Sequence, residues 1–183
     1  MLKYEKDFDG NFQPIDRQVN RASCGPACVR MIIKIVNGID VGEGYIQALI
    51  GNSEGFVSTL GMGGVVGSAR SFANRGTWNV GEGLDGARPV IRHRYTANVR
   101  DLANSSKRKP AIGVIRWQNG GLHYVVVNGP LTTGGRYLVL DPYCGVQYVH
   151  IKNGVPGWYH PVDAATNQSY GQAKFIDHCW LVT

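Results

Sequence analysis

From Ala111 onward the chain repeats one pattern, a short apolar run closed by a turn. Ala111 to Trp117, Leu122 to Val127, Tyr137 to Leu140, Val146 to Ile151 and Phe175 to Val182 read as strands. The punctuation between them is Asn119-Gly120-Gly121, Gly134-Gly135 and Asn153-Gly154. Ahead of residue 110 the apolar spacing is mainly helical. Helices first and antiparallel strands later define an α+β chain, with one sheet packed against a core helix.

That helix lies in the stretch from Gln18 to Ile35. From Cys24 the apolar positions 24, 28, 31, 32 and 35 form a stripe at helical spacing. Ser23 suits the N-cap, and Pro26 falls in the first turn, where a missing N–H costs nothing. Asn37-Gly38 is a stop signal. Cys24 therefore opens the helix, where the dipole and the free backbone N–H groups favour a thiolate. Gly25 keeps the chain thin beside the sulfur. The competing reading is an ordinary buried cysteine, since free cysteine is among the most buried residue types.

Gln18, six residues before Cys24, is close enough for its amide to reach back over the sulfur. With the Cys24 backbone N–H it would make a two-donor pocket for the oxyanion of an acyl-transfer intermediate. A lone glutamine in a loop otherwise faces solvent.

The rest of the first 110 residues is less patterned. Residues 1–17, with Gly10, Asn11 and Pro14, read as an extended arm. Short helices are expected from Glu43 to Ile50, from about Gly64 to Asn74 and from Thr96 to Ser106, the last with Thr96 as N-cap. A loop is expected from Trp78 to Arg88. Gly61-Met62-Gly63-Gly64 resembles a phosphate cradle only superficially, because no strand precedes it and no lysine follows.

At 183 residues the chain is most simply one domain, able to bury a core without staples. The formal net charge is +6 and the pI about 9.3, which raises the question of an acidic partner. The clearest basic run, Lys107-Arg108-Lys109, is expected to close a helix and complement its dipole. No aromatic-interleaved basic stripe accompanies it, which argues against nucleic acid as a partner. The four cysteines, Cys24, Cys28, Cys144 and Cys179, have neither metal-ligand nor disulfide-scaffold spacing, and a working thiol implies a reducing place of action. No window is long and apolar enough for a membrane span, and the charged N-terminus does not resemble a signal peptide.

A catalytic thiol needs a base within reach and a group to orient that base. His123 opens the strand His123-Tyr124-Val125-Val126-Val127, and Asp141 ends the strand Tyr137 to Leu140. Joined as a hairpin, the two strands bring Asp141 next to His123, so that one ring nitrogen meets the carboxylate and the other the sulfur. Asn128 could take the orienting role, but it lies at the far end of the same strand. His93, His150, His160 and His178 are weaker candidates: His93 sits between two arginines that disfavour an imidazolium, His150 alternates along a strand with Tyr148 as a surface residue would, and His160 and His178 lie in or beside the C-terminal segment.

Gln18 with Cys24, the run Ser23-Cys24-Gly25-Pro26-Ala27-Cys28-Val29-Arg30-Met31-Ile32, His123 to Val127 and Leu140-Asp141-Pro142 together resemble papain-like cysteine peptidases. The nearer likeness is to bacteriocin-processing peptidase domains and to papain-fold domains of bacterial effectors and toxins. It covers residues 18 to about 150, and leaves unmatched the segment from about 40 to 110 and the tail from Val155 to Thr183. The resemblance implies a papain-like fold in which Cys24 is the nucleophile, His123 the general base and acid, Asp141 the orienting carboxylate and Gln18 the oxyanion donor, with no metal or organic cofactor. It implies a protein or peptide substrate and leaves open an immunity or inhibitor protein. The same thioester chemistry would serve a glutamine deamidase or an acyl transferase. A papain-like module that binds peptide without cutting it is the alternative of another class, and a nucleic-acid-directed toxin rests on charge alone.

Overall fold

The structure is a computed structural model and describes residues 2–18, 23–42, 77–79 and 90–183. The helices expected at Glu43–Ile50 and Gly64–Asn74 and the glycine-rich turn before the second lie outside the described residues, as does most of the expected loop. The N-terminal arm is a hairpin of β1 (Leu2–Lys6) and β2 (Phe12–Asp16). It leads to α1 (Cys24–Asn37). The later strands are β3 (Thr77–Asn79), β4 (Val90–Thr96), β5 (Ala111–Trp117), β6 (Leu122–Pro130), β7 (Arg136–Asp141) and β8 (Gly145–Lys152), then β9 (Val155–Pro156), β10 (Val162–Asp163), β11 (Gln168–Ser169) and β12 (Ala173–Val182). Eight of them make one antiparallel sheet in the order β3-β4-β12-β5-β6-β7-β8-β9. The chain is α+β.

α1 runs as its periodicity dictates and stops at Gly38, whose φ of 73° is the left-handed conformation glycine adopts without strain. Two details differ from expectation. Ser23 occupies the N-cap position, but its side chain makes no capping hydrogen bond; its carbonyl accepts from Ala27 N–H at 2.9 Å. Burial also extends beyond one stripe, taking in every residue from Cys24 to Ile33. The reason is that α1 is held between β6 on one side and β2 on the other. Arg30 is buried with it, and its guanidinium is matched by Asp16 and Asp40, each at 2.9 Å. A buried cation without such partners would be strongly destabilising.

The sheet has an apolar layer on each face. Ile112, Val114, Tyr124, Val126, Leu138, Leu140 and Trp180 pack with α1. The alternate residues Ala111, Ile115, Val125, Val127 and Val139 pack with Leu102, Tyr159 and Cys179 on the other. A strand buried on both sides must be apolar at successive positions, which is why Tyr124 to Val127 is an unbroken run. β8, with one face in water, alternates instead: Gln147, Val149 and Ile151 are buried, while Tyr148, His150 and Lys152 are exposed.

Three expectations in the first 110 residues are corrected. Trp78 and Asn79, placed in a loop from sequence, belong to β3 and pair with Ile91 and Val90. The basic stretch Arg92-His93-Arg94 is part of β4, whose pairing with β12 sets His93 opposite Val182. The helix expected from Thr96 to Ser106 shrinks to a 3₁₀ turn over Val99–Asn104, capped by the Asn98 side chain rather than by Thr96. Lys107-Arg108-Lys109 therefore follows no helix end; Ser106 and Lys109 exchange backbone hydrogen bonds of 2.9 and 3.0 Å in a tight turn. For β4 short-range propensity lost to pairing with a strand remote in sequence, since its partner β12 lies near the end of the chain.

Near its end β6 runs against this turn. Gly129 has φ +85°, and a Cβ there would stand 2.7 Å from the Ser106 Cα. Backbone cannot yield as a flexible side chain can, so Gly129→Ala combines a steric clash with a disfavoured dihedral. The expected loss is about 2 to 4 kcal/mol of unfolding free energy, read from urea melts of the two proteins. A midpoint within error of the wild type would show that the turn can move aside.

Candidate functional site

Cys24 is the first residue of α1 and is 2% exposed. His123, the second residue of β6, is 1% exposed, and the Cys24 thiol is one of the groups that raise its imidazole. Its Nε2 lies 2.8 Å from Asp141 Oδ1, at the end of β7. Since Nε2 is engaged by the carboxylate, Nδ1 is the nitrogen left for the sulfur. The register that sets Val126 opposite Leu140 produces this meeting, because it runs the start of β6 past the end of β7.

Asp141 is wholly buried. Its Oδ1 also accepts from Tyr143 N at 2.7 Å and Cys144 N at 3.3 Å, and its Oδ2 accepts from the Tyr159 hydroxyl at 2.7 Å. Burial alone would push this carboxyl up, but the facing imidazolium and these donors outweigh it and hold the group below the usual carboxylate range. For His123 burial disfavours the cation, and the Asp141 charge and hydrogen bond, with the Cys24 contact, overcome it and raise the imidazole to about 10.

The imidazole is also held between aromatic rings. Tyr143 stacks on it at 4.7 Å and Trp117 at 6.1 Å, and Tyr170 extends the stack beyond Tyr143 at 5.9 Å. Ring faces attract a cation and exclude water, so both effects favour the paired imidazolium.

The turn after Asp141 is tied to the N-terminal hairpin. Gln18 N–H donates to the Pro142 carbonyl at 3.1 Å, and the Arg17 guanidinium donates to the Tyr143 carbonyl. Arg17 is itself paired with Glu5 at 3.0 Å and Asp163 at 3.1 Å, and Glu5 accepts from Val146 N at 3.0 Å. The supposed arm thus braces the turn that supplies donors to Asp141. Gln18 lies at the edge of this brace with its side-chain oxygen buried.

The other sequence candidates are placed elsewhere. Asn128 donates to Gln13 Oε1 at 3.1 Å, in a buried chain that continues from Gln13 Nε2 to Asp7 at 2.7 Å, whereas the group that meets His123 is Asp141. His178 Nδ1 meets the Tyr95 hydroxyl at 2.6 Å, and His150 and His160 are exposed. All four cysteines are free and buried. Burial and then the neighbouring Cys24 push the Cys28 thiol well up, and burial raises Cys179 to about 12, which leaves both as packing residues. Sequence reasoning missed Tyr159, Tyr143 and Trp117, since no local motif distinguishes them from core aromatics.

No protein-family model matches the sequence, and no curated protein matches it. Solved structures similar to it include two peptidase domains. One is a double glycine motif protease from an AMS/PCAT transporter in complex with the leader peptide, 17% identical over 93% of this chain and 91% of that one, with a TM-score of 0.48. The other is the peptidase domain of Streptococcus ComA, a bi-functional ABC transporter involved in a quorum-sensing pathway. It is 16% identical over 92% of this chain and 96% of that one, with a TM-score of 0.46. Among the described residues no group of three or more His, Cys, Asp or Glu side chains could hold a metal ion, and no helix is long and apolar enough to cross a membrane.

The paired charges link stability to pH. His123 is raised above its ordinary 6.5, so its contribution is complete below about pH 6.5 and is lost as pH rises toward 10. Asp141 is lowered, so its contribution is present above its ordinary 3.8 and is lost on acidification. Urea midpoints are expected to fall from about pH 6.5 upward in the wild type, and His123→Gln is expected to reduce that slope, most clearly below about pH 8.5, where the buried thiols and phenols do not yet titrate. An alkaline slope of unchanged size in the variant would assign it to other groups.

Proposed function

We propose that this chain is a cysteine peptidase with Cys24 as nucleophile, His123 as general base and acid, and Asp141 as the orienting carboxylate. One observation carries the reading: a buried imidazole is set between a helix-initiating thiol and a buried, fully hydrogen-bonded carboxylate. Gln18, beside the Asp141 turn, is proposed as the oxyanion donor together with the Cys24 N–H. The papain-like motifs of the sequence agree with each role.

In the proposed cycle His123 and Cys24 rest as an imidazolium–thiolate pair that Asp141 stabilises. The thiolate sulfur attacks the peptide carbonyl carbon, and the oxyanion is held by the two donors. Collapse breaks the C–N bond as His123 passes its proton to the departing amine. Water, deprotonated by His123, then attacks the thioester, releasing the acid and restoring the thiol. Peptide or protein is the proposed substrate. A bacterial effector or toxin domain working in a reducing cytosol is the proposed setting, supported by the family resemblance and by the chemistry's need for a free thiol.

The test joins two measurements. A brief iodoacetamide pulse at about pH 6 is followed by intact mass, under conditions where an ordinary thiol of pKa about 8.5 reacts little. Wild type is expected to take one fast adduct, Cys24→Ala none, and His123→Ala to label at least about 100-fold more slowly. The proteins are then incubated with a proteome-derived peptide library, and new N-termini are counted by mass spectrometry. Termini that require both Cys24 and His123 support the peptidase. Conversion of glutamine to glutamate without cleavage identifies a deamidase instead, and a fast adduct that survives Cys24→Ala overturns the assignment of the nucleophile.

A further inference from the structure

We propose that Tyr159 is a positioning residue of this site, its hydroxyl fixing the Asp141 carboxylate so that the opposite oxygen faces His123. Asp141 can turn about its terminal bond, and only its hydrogen-bond partners decide which oxygen meets the imidazole. Three of those donors converge on Oδ1: His123 Nε2, Tyr143 N and Cys144 N. The side chain that binds Oδ2 is Tyr159, whose hydroxyl donates at 2.7 Å. Both residues are 0% exposed.

The hydroxyl is itself held in place. Tyr159 and Ala173, the first residue of β12, exchange backbone hydrogen bonds of 2.9 Å in each direction, and the Tyr159 ring lies 5.9 Å from that of Phe175. The long sheet strand thereby fixes a residue from the irregular segment after β9. Burial, reinforced by the nearby Asp141 charge, keeps the phenol protonated, so it remains a donor. Its bond to Asp141 is one of the contacts that keep the carboxyl ionised. Without it, Oδ2 would lose the donor that the described residues give it, which favours protonation or rotation of the carboxyl. Either outcome removes the partner of the imidazolium.

The proposal rests on the peptidase reading only in giving Asp141 a role toward a catalytic His123, and the experiment separates the two. Tyr159→Phe keeps the ring and deletes the donor. The Asp141 carboxyl carbon is followed by ¹³C NMR in the full chain carrying Cys24→Ala, with and without Tyr159→Phe. Its titration midpoint is expected to rise by about one pH unit, the size of a lost hydrogen bond to a charged group. In the wild-type Cys24 background, the acid limb of iodoacetamide labelling is expected to move up by about as much, with the alkaline plateau retained. A residue that merely fills the core would lower stability and leave both midpoints in place.

Site-specific 3-fluorotyrosine at position 159 supplies the second variant. It preserves shape and makes the hydroxyl a stronger donor, so the Asp141 midpoint should move down. If Tyr159→Phe fails to fold, by near-ultraviolet circular dichroism, this downward shift supports the proposal and an unmoved midpoint overturns it. If Asp141 responds as expected but wild-type Cys24 shows no fast labelling, the peptidase reading fails while the hydrogen-bond role stands.

Discussion

A carboxylate sealed from water stays charged only if donors surround it, and Asp141 has four within 3.3 Å. The ion pair with His123 could not exist in this interior otherwise, because desolvation disfavours both partners. Much of the peripheral structure maintains that set of donors. The Tyr143 and Cys144 amides depend on the turn after β7. That turn is held by Arg17 and Gln18, and Arg17 in turn by Glu5 and Asp163. The N-terminal hairpin and the C-terminal segment therefore converge on one carboxyl group from opposite ends of the chain.

Cys24 reaches this pair by a separate route. Cys24 belongs to the apolar layer between α1 and the sheet, whereas Val125, two residues along β6 from His123, and Tyr159, which hydrogen-bonds Asp141, belong to the other layer. The thiol and imidazole meet because α1 begins where β6 begins. Burying ten successive residues of α1 fixes that start, and the ion pairing of Arg30 with Asp16 and Asp40 makes the burial tolerable. The helix is thus a rigid mount whose first residue projects into a site built by other elements.

Legibility in the sequence followed the range of the interactions involved. The Cys24 helix, its glycine stop and the five strand runs of the second half were visible, because helix periodicity and turn chemistry act over a few residues. The contact of His123 with Asp141 was also visible, since two strands joined by one loop must run antiparallel and their outer ends must meet. β3 and β4 were not visible. Their partners are each other and β12, some 85 residues beyond β4 at the paired positions, such as His93 with Val182, and the basic stretch carries no alternation that would announce a strand. Tyr159 was equally hidden, because an isolated tyrosine in an irregular segment has the same local signature whether it fills space or donates a hydrogen bond.

By itself the sequence determined the α+β character, the helix that starts with a cysteine and the strand ends that carry a histidine and an aspartate. These follow from side-chain periodicity and turn geometry, which are properties of short stretches of chain. Tertiary structure alone decided that α1 is buried against both β6 and β2, and that Tyr159 and the Tyr143 turn complete the carboxylate's shell. Those outcomes depend on which remote groups share a buried volume, where every polar atom must find its partner because water is excluded.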